Sequence, residues 1–582
     1  MPLNTKTLTL LFIKDMLLYR LFFTGLCLFI TNVMVFAQNP NMSNEQNKHE
    51  NTMMPGGMPF GGMMPMGGMM PGGGPMFMNG NINQFDINFA TEVPEEKDAV
   101  IKDKNDSLYT YYVENIKFSK TAKIHFNDND VQISDLPENV SITKDGAYLS
   151  ITSSYAQPLA FEISGKTDNG SLTLNTKSPI KLLFNNTTIK SQRGHAILVE
   201  GKAHVYAVIA ENSTNELSDC RNPELPPMMG FPPMGTFRDG APSMGERPNF
   251  PPEGMQPPFM ERKREENPED YHVQYGIRMK KPQMKKKLKV DGTFVCDGHL
   301  SISGKGTLQV LSNNKIGIKS KESLMIRPGN LITVRALSGK GINAKNELYI
   351  YGGTLNVDCS FSADKALTAG RNLYIKGGHT VVKAGGSESS EGIQSKFLMQ
   401  IDGGKLEVAA QDDAINSQGD LVINGGDIRA FSATNDAFDS NCNMIINGGN
   451  VFASGNGMPE GGLDCADEEG YNLFINGGTV IAIGGRHSNP EKQSRQPSIQ
   501  WSLDNLSPEK TYSVEDFCIY KSSRTYQMGG ATLLFSSPNL KKGKTYSLFI
   551  DGEKAETVES LSAPFSNAGR RMSGFPFGRP QR

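Results

Sequence analysis

The chain has 582 residues, of which 37% are hydrophobic, and it carries a formal net charge of −2 at pH 7. A near-neutral, slightly acidic chain lacks the basic surface that nucleic acids require, so we expect no nucleic-acid partner. The seven cysteines include no CxxC pair, which argues against a structural zinc site.

Residues 1–37 have the pattern of a secretory signal peptide. Lys14 and Arg20 precede an apolar run over residues 21–36, and a small-residue cleavage pattern ends at Ala37. A membrane anchor is the alternative, but the run is shorter than the roughly 20 residues that a spanning helix needs. We therefore expect an exported protein, secreted or held at the cell surface, with no transmembrane segment in the mature chain.

Residues 38–84 consist mainly of Met, Gly, Pro and Asn. Because almost no branched aliphatic residue is present to form a core, this stretch is predicted to be a disordered linker. Clustered methionine thioethers can also bind Cu(I), which is the alternative interpretation.

Short strands with alternating apolar residues begin after residue 85, as in 122–126 and 147–152. They predict the first, less regular coils of a repeat domain. Residues 221–289 interrupt the pattern with Pro, Met, Gly and charge, and are predicted to be a disordered insertion. Cys220 and Cys296 flank this insertion, and we predict that they form a disulfide; two unpaired thiols in neighbouring coils are the alternative.

One phrase is repeated between about residues 300 and 485, for example Leu421-Val-Ile-Asn-Gly-Gly. Its second glycines are 25, 26, 22, 23 and 29 residues apart: Gly353, Gly378, Gly404, Gly426, Gly449 and Gly478. A period in the low twenties that contains period-two strands is typical of a solenoid, whose units bury their apolar faces only against stacked neighbours. The predicted fold is all-β, a parallel β-helix.

The phrase ends near residue 485, and new alternating segments follow. We predict that the β-helix covers residues 85–490, that residues 491–554 form a small C-terminal β cap, and that residues 555–582 are a disordered tail. A cap is expected because the last coil of a solenoid otherwise exposes unpaired strand edges and apolar core.

A second motif places outward side chains in columns. It reads small, apolar, any residue, small, as in Ala414-Ile-Asn-Ser, and the apolar member is predicted to stack inside the helix. The outward positions change from lysine in the early coils to acidic and amide residues in the late ones. The late members are Glu391, Asp412, Asp413, Asn416, Asp436, Asp439 and Asp464.

Carboxylates stacked about 4.8 Å apart repel one another. A multivalent cation removes this repulsion, and hard oxygen ligands suit Ca²⁺, so the acidic column is a candidate calcium site. A solvated turn column is the alternative, since Asp, Asn and Gly are favoured at tight corners for conformational reasons. The column pattern leaves both interpretations open. No nucleophile motif such as GxSxG is present.

Three stretches carry a family resemblance. Residues 180–189, 195–199 and 210–219 resemble the conserved phrases of a bacterial carbohydrate-binding β-helix family, and the later Gly-Ile-x-Ser and Ile-Asn-Gly-Gly coils resemble its remainder. The resemblance covers roughly residues 115–550. The chain departs from the family pattern by Ala-Glu-Asn-Ser in place of Gly-Thr at 210–213 and by the insertion after Cys220.

The resemblance implies a right-handed fold similar to that of calcium-dependent pectate lyases, with bound Ca²⁺ and a plant cell-wall or acidic pectic polysaccharide as partner. It favours a binding protein over an enzyme. We predict no catalytic residues and expect a monomer. The sugar is expected to lie along one flank, stacked on exposed tyrosines and meeting lysines: Tyr349, Tyr351, Tyr374, Lys340 and Lys365. Edge packing between coils is the alternative role of the tyrosines. A polysaccharide lyase and a structural surface or adhesin protein are the alternative functions.

Overall fold

The computed structural model describes Ile82 and residues 87–220, 290–503, 510–516, 518–521 and 530–561. The predicted signal peptide, the linker apart from Ile82, the insertion and residues 562–582 of the predicted tail lie outside these residues. The start of the tail, predicted to be disordered, instead belongs to the strand Glu553–Glu559. Among the described residues, no helix is long and apolar enough to cross a membrane.

Each regular coil contains three short strands, which we call first, second and third. In one coil these are Ile342–Ala344, Leu348–Ile350 and Thr354–Cys359. Every strand pairs in parallel with its counterpart in the next coil, so that Ile342 lies against Leu367 and Thr354 against His379. The chain thus forms a β-solenoid of about 11 turns with 50% strand, which confirms the predicted fold class.

The first strands form one 12-stranded sheet, whose members are Val140–Asp145, Ala147–Ser153, Gly170–Thr176, Ile197–Glu200, Phe294–Cys296, Ile318–Ser320, Ile342–Ala344, Leu367–Ala369, Ile393–Ser395, Ile415–Ser417, Phe438–Ser440 and Leu463–Cys465. The second strands are Lys120–Asn127, Leu159–Thr167, Ile180–Lys190, Val205–Ile209, Leu300–Gly304, Leu324–Ile326, Leu348–Ile350, Leu373–Ile375, Met399–Ile401, Leu421–Ile423, Met444–Ile446 and Leu473–Ile475. The third strands are Thr214–Ser218, Thr307–Ser312, Leu331–Ala336, Thr354–Cys359, His379–Ala384, Lys405–Ala410, Asp427–Ser432, Asn450–Ser454 and Thr479–Gly484.

The core is a stack of apolar ladders. The apolar member of the second motif points inward in every regular coil and is fully buried, as predicted: Ile318, Ile342, Leu367, Ile393, Ile415, Phe438 and Leu463. Small residues two positions later, such as Ala344 and Ser395, also face inward and let the chain turn. Because each coil contacts only its neighbours, the stability of the solenoid is the sum of many local interfaces.

The repeated Gly-Gly corner is required by sterics. Gly378 has a φ of +84°, and a Cβ placed there would lie 2.6 Å from the carbonyl oxygen of Gly353 in the preceding coil. The backbone of successive coils therefore approaches too closely for any side chain, and the left-handed conformation also favours glycine.

We expect Gly378→Ala to destabilise its coils by clearly more than the conformational cost alone. Gly470 is the matched control because it has a φ of +95° and nothing within 4 Å of a built Cβ. Gly470→Ala should cost about 1 to 2 kcal/mol, the ordinary penalty of a left-handed alanine. Urea unfolding of the two variants measures the difference; equal losses would show that close coil packing does not select glycine.

Both ends of the solenoid are covered by antiparallel strands. At the start, Asp130–Ser134 pairs with Lys120–Asn127, and Val140–Asp145 pairs with Ala147–Ser153. At the other end, Ala531–Ser536 pairs antiparallel with the last third strand and with Ser498–Leu503. A small antiparallel sheet completes the C-terminal cap with Thr511–Val514, Cys518–Lys521, Thr545–Ile550 and Glu553–Glu559. The cap buries Trp501 in its own apolar cluster.

Residues 87–116, which we call the strap, form no coil and lie along the outside of the solenoid. The strap contains two 3₁₀ turns, Tyr109–Tyr111 and Val113–Asn115. The Asn356 side chain binds the strap as a strand partner would, accepting from the Ala90 N–H at 3.0 Å and donating to the Ala90 carbonyl at 2.7 Å. Contacts of this kind cover part of several third strands, which would otherwise face solvent.

Charge pairs anchor the second half of the strap. The guanidinium of Arg327, which is 1% exposed, donates to Asp98 at 2.6 Å and to Glu114 at 2.8 Å and lies over the ring of Tyr112. The Glu96 carboxylate accepts the N–H groups of Gly353 and Gly378 at two successive corners. These contacts join the strap to three coils.

The predicted disulfide between Cys220 and Cys296 is not formed, and both residues are free thiols. Cys296 points into the core from its first strand, where its thiol lies 3.3 Å from the Gly298 carbonyl. Cys220 instead lies beside Asn314, whose amide donates to its carbonyl. Buried Asp219, just before the insertion, accepts from the Asn313 N–H of a following coil at 2.6 Å.

Candidate functional site

The outward residues of the first strands form the predicted polar ladder. The register aligns Gln394 with Asn416, Asn416 with Asp439, and Asp439 with Asp464. Asp439 and Asp464 are therefore like charges on neighbouring rungs, an arrangement that is destabilising unless their charges are neutralised.

A second ladder lies at the turn that precedes these strands. It begins with Lys340 and Lys365 and continues with Glu391, Asp413 and Asp436. Lys365 forms an ion pair with Glu391, and Lys340 lies 3.8 Å from Asp364. Both lysines are thus already paired within the solenoid. The two ladders meet in the coils from Glu391 to Asp464. We use the name acidic column for the following residues of these coils: Glu391, Asp412, Asp413, Asn416, Asp436, Asp439 and Asp464.

Asn416 lies at the centre of the acidic column. Its Nδ2 donates to Asp413 Oδ2 at 3.1 Å and to Asp439 Oδ2 at 2.7 Å. Asp413 also accepts the Asp436 N–H at 3.2 Å, and Asp436 accepts the Gly461 N–H at 2.5 Å. Asp412 accepts a hydrogen bond from the side-chain amide of Asn435, and Asp464 accepts one from the hydroxyl of Ser488.

The acidic column has carboxyl groups that are hard to ionise. Burial, followed by repulsion from Asp464, raises the pKa of Asp436 to about 9 and that of Asp439 to about 7. Burial and the charges of Asp439 and Asp412 raise the pKa of Asp413 well above its ordinary value. The pKa of Glu391 is also raised by burial, despite its lysine partner. Burial is the largest cause for each of these groups.

The donor set of the acidic column fits a hard cation. Asn416 is 7% exposed, and its Oδ1 is a buried acceptor without a hydrogen-bond partner. An unpartnered oxygen between carboxylates is what a calcium ligand presents, whereas no ligand softer than oxygen is nearby among these residues. Across the described ranges, however, no three His, Cys, Asp or Glu side chains converge closely enough to hold a metal by themselves. A cation would therefore combine carboxylate with amide oxygens.

The predicted sugar-stacking tyrosines lie on second strands, away from the acidic column. Tyr349 and Tyr374 are stacked with ring centroids 5.2 Å apart, and Tyr351 lies beside Tyr349. Tyr111 of the strap packs edge-on against Tyr349 at 6.0 Å. The structure does not bring these tyrosines together with Lys340 and Lys365, which precede the first strands. The tyrosine ladder instead forms part of the seat of the strap.

Two sets of charged residues were not predicted from the sequence. Glu460, whose pKa is raised by burial and by Asp464, extends the acidic column. His379, Lys405 and Arg429 form a basic group on the third strands. Aligning third strands on the second glycine of each corner would have revealed this group, because His379 and Lys405 directly follow Gly378 and Gly404.

Comparison with known proteins found one matching family. A family model described as "Carbohydrate-binding domain-containing protein" matches residues 138–225, 278–360 and 359–437, somewhat less than half of the chain. This match confirms the resemblance drawn from the sequence. A search of curated proteins gave no match.

A solved structure titled as the polysaccharide lyase-like protein from C. thermocellum, a gadolinium derivative, aligns at 16% identity and a TM-score of 0.32. The alignment covers 56% of this chain and 96% of that chain.

Proposed function

We propose that this chain is an exported protein that binds an acidic polysaccharide, such as a plant cell-wall pectic glycan, on a β-solenoid supported by Ca²⁺. The match to the carbohydrate-binding family carries the general function. The acidic column supports the calcium part, because its carboxyl groups are buried beside an unpartnered amide oxygen.

Asp413, Asn416 and Asp439 are the residues that would hold the cation. A bound Ca²⁺ would supply the positive charge that the column lacks. The chain's own residues contribute rigidity, since the side chains are fixed on rungs whose backbone is paired on both sides. A binding site built on such strands needs little reordering when the glycan arrives.

Lyase chemistry has little support among the described residues. Lys340 has a pKa lowered by burial, as a catalytic base requires, but it is paired with Asp364. Three coils separate its rung from that of Asp413, which corresponds to about 14 Å along the solenoid axis. Lys365 is occupied by Glu391. No lysine of this ladder is therefore both close to the column and free.

A glycan panel in millimolar Ca²⁺ tests the function. We expect oligogalacturonate or another uronate-containing glycan to bind, measured by calorimetry, and to yield no unsaturated product absorbing in the ultraviolet. Accumulation of that product would establish a lyase. Absence of binding to every acidic and neutral glycan would overturn the proposal in favour of a structural surface protein.

A further inference from the structure

A cleft of about 400 Å³ lies between the strap and the third strands of three successive coils. Strap residues 88–92 form one wall. His379, Lys405, Glu407 and Arg429 form the other. The cleft is on the third-strand face, whereas the acidic column is on the first-strand face and the turn before it. Its size is that of ordinary small-ligand sites in proteins.

The register explains why these four side chains share one surface. His379 is paired with Lys405, and Glu407 is paired with Arg429 on adjacent rungs. Inward positions alternate with them, since Leu406 and Val408 are fully buried in the core. The four side chains therefore project outward from three successive rungs about 4.8 Å apart: His379 from the first, Lys405 and Glu407 from the second, and Arg429 from the third.

The patch holds two permanent cations, Lys405 and Arg429, and one carboxylate, Glu407, while exposed Asp427 lies on the rung next to Lys405. Glu407 accepts from His379 Nε2 at 2.9 Å and from Lys405 Nζ at 2.8 Å, while Arg429 Nη1 is 3.8 Å away, beyond hydrogen-bond distance. These partners lower the pKa of Glu407 despite its burial, so it stays ionised. One buried carboxylate thus aligns two permanent cations whose side chains are each 45% exposed. Glu92 on the strap is the other acidic residue of the lining.

The same edge of the solenoid already holds a carboxylate of the chain itself. Glu96 of the strap is bound by the N–H groups of Gly353 and Gly378, at the corners directly before the patch. The strap runs along the solenoid axis, so the Glu96 carboxylate is bound beside the corner where the charged residues of the patch begin.

We propose that the cleft binds an anionic sugar unit, a uronate or a sulfate ester, with the anion on Arg429 and Lys405. The inference rests on the proposed function and names the ligand group that the chain recognises directly, without the cation. A guanidinium fork matches a planar carboxylate or a sulfate through two parallel hydrogen bonds. Strap residues 88–92 close one side of the cleft, which lowers solvent screening of these charges.

Arg429→Gln is the decisive variant, because Glu407 keeps His379 and Lys405 as partners and the fold is preserved. We expect calorimetry in Ca²⁺ to show at least a tenfold loss of affinity for trigalacturonate in this variant. Arg429→Lys, which keeps the charge and loses the fork, should give a smaller loss. Lys492→Gln, which removes an exposed lysine elsewhere, should bind like the wild type. A sulfated oligosaccharide in parallel distinguishes uronate from sulfate recognition.

If Arg429→Gln binds both anionic sugars with the affinity of the wild type, the cleft is not the binding site. The proposed function would remain intact. Binding of neutral glycans alone by the wild type would overturn both the cleft and the acidic ligand of the proposed function. Failure of the wild type to bind any glycan would overturn both. Equal binding of the uronate and of an acidic peptide would show a general anion site instead of a sugar site.

Discussion

Asp439→Asn should raise the melting temperature of the protein in EDTA at pH 8 and have little effect at pH 4.5. The folded pKa of Asp439 is about 7, above its ordinary value of 3.8. A raised folded pKa stabilises the fold at low pH, and this stabilisation is lost as pH rises from about 4 through 7. Each pKa unit of difference corresponds to about 1.4 kcal/mol, so a gain of a few kcal/mol is expected at pH 8. Asparagine keeps an oxygen that can accept from Asn416.

If the proposed calcium site is correct, the same substitution should also remove most of the stabilisation by Ca²⁺, because it removes a charged oxygen that would bind the cation. Asp427→Asn is the matched control, since Asp427 is an exposed third-strand residue outside the acidic column. Thermal unfolding of the three proteins, with Ca²⁺ and with EDTA at both pH values, measures the effects. A loss of stability in EDTA at pH 8 would show that the Asp439 charge is already compensated without a cation.

Arg327→Ala should release the strap while leaving the solenoid folded. The substitution removes a buried guanidinium that binds Asp98 and Glu114, and breaking such a pair costs on the order of 3 kcal/mol. Because solenoid stability is local, the loss falls on residues 87–116 and their contacts. Hydrogen exchange followed by mass spectrometry should show amides of the strap exchanging on the order of 100-fold faster, with the first strands of distant coils unchanged.

Arg371→Ala serves as the control for this release. Its side chain is 61% exposed and lies 3.7 Å from Glu347, so its loss should change exchange very little. Unchanged protection of the strap in Arg327→Ala would mean that apolar contacts, such as those of Tyr112 with Met325, hold it without the ion pairs.

The ladders were predictable from the sequence because they depend on periodicity alone. Once the copies are aligned, a one-coil offset determines which side chains are neighbours, and the pairing of Asn416 with Asp439 follows directly. The interior column, including Phe438 among aliphatic residues, follows in the same way. Parallel coils with short corners leave few other registers.

The strap was not predictable by these means. It pairs residues more than 200 positions apart, as Ala90 does with Asn356, and it carries no repeat that would set its register. Packing of the strap explains why the tyrosines are covered. The position of Tyr349 recurs in each coil and follows from the repeat, but the repeat cannot reveal that Tyr111 of the strap packs against it. The cleft beside Lys405 depends on the strap and was hidden for the same reason.

The free thiol of Cys296 illustrates a second limit. Residues that flank an insertion are near each other along the solenoid, but a disulfide also requires their side chains to point toward each other. Cys296 occupies an inward position of its strand, and Cys220 lies in a turn held by Asn314. The positions of the two cysteines beside the insertion do not indicate where their side chains point.

The most direct measurement for the acidic column is thermal unfolding of the wild-type protein at pH 7.5 in millimolar Ca²⁺ and in EDTA. The buried carboxyl groups and the unpartnered Asn416 oxygen predict a melting temperature several degrees higher with Ca²⁺, since a ligand that binds only the folded state stabilises it. The rise should saturate with increasing Ca²⁺. Identical melting temperatures in Ca²⁺ and in EDTA would contradict a calcium-supported solenoid.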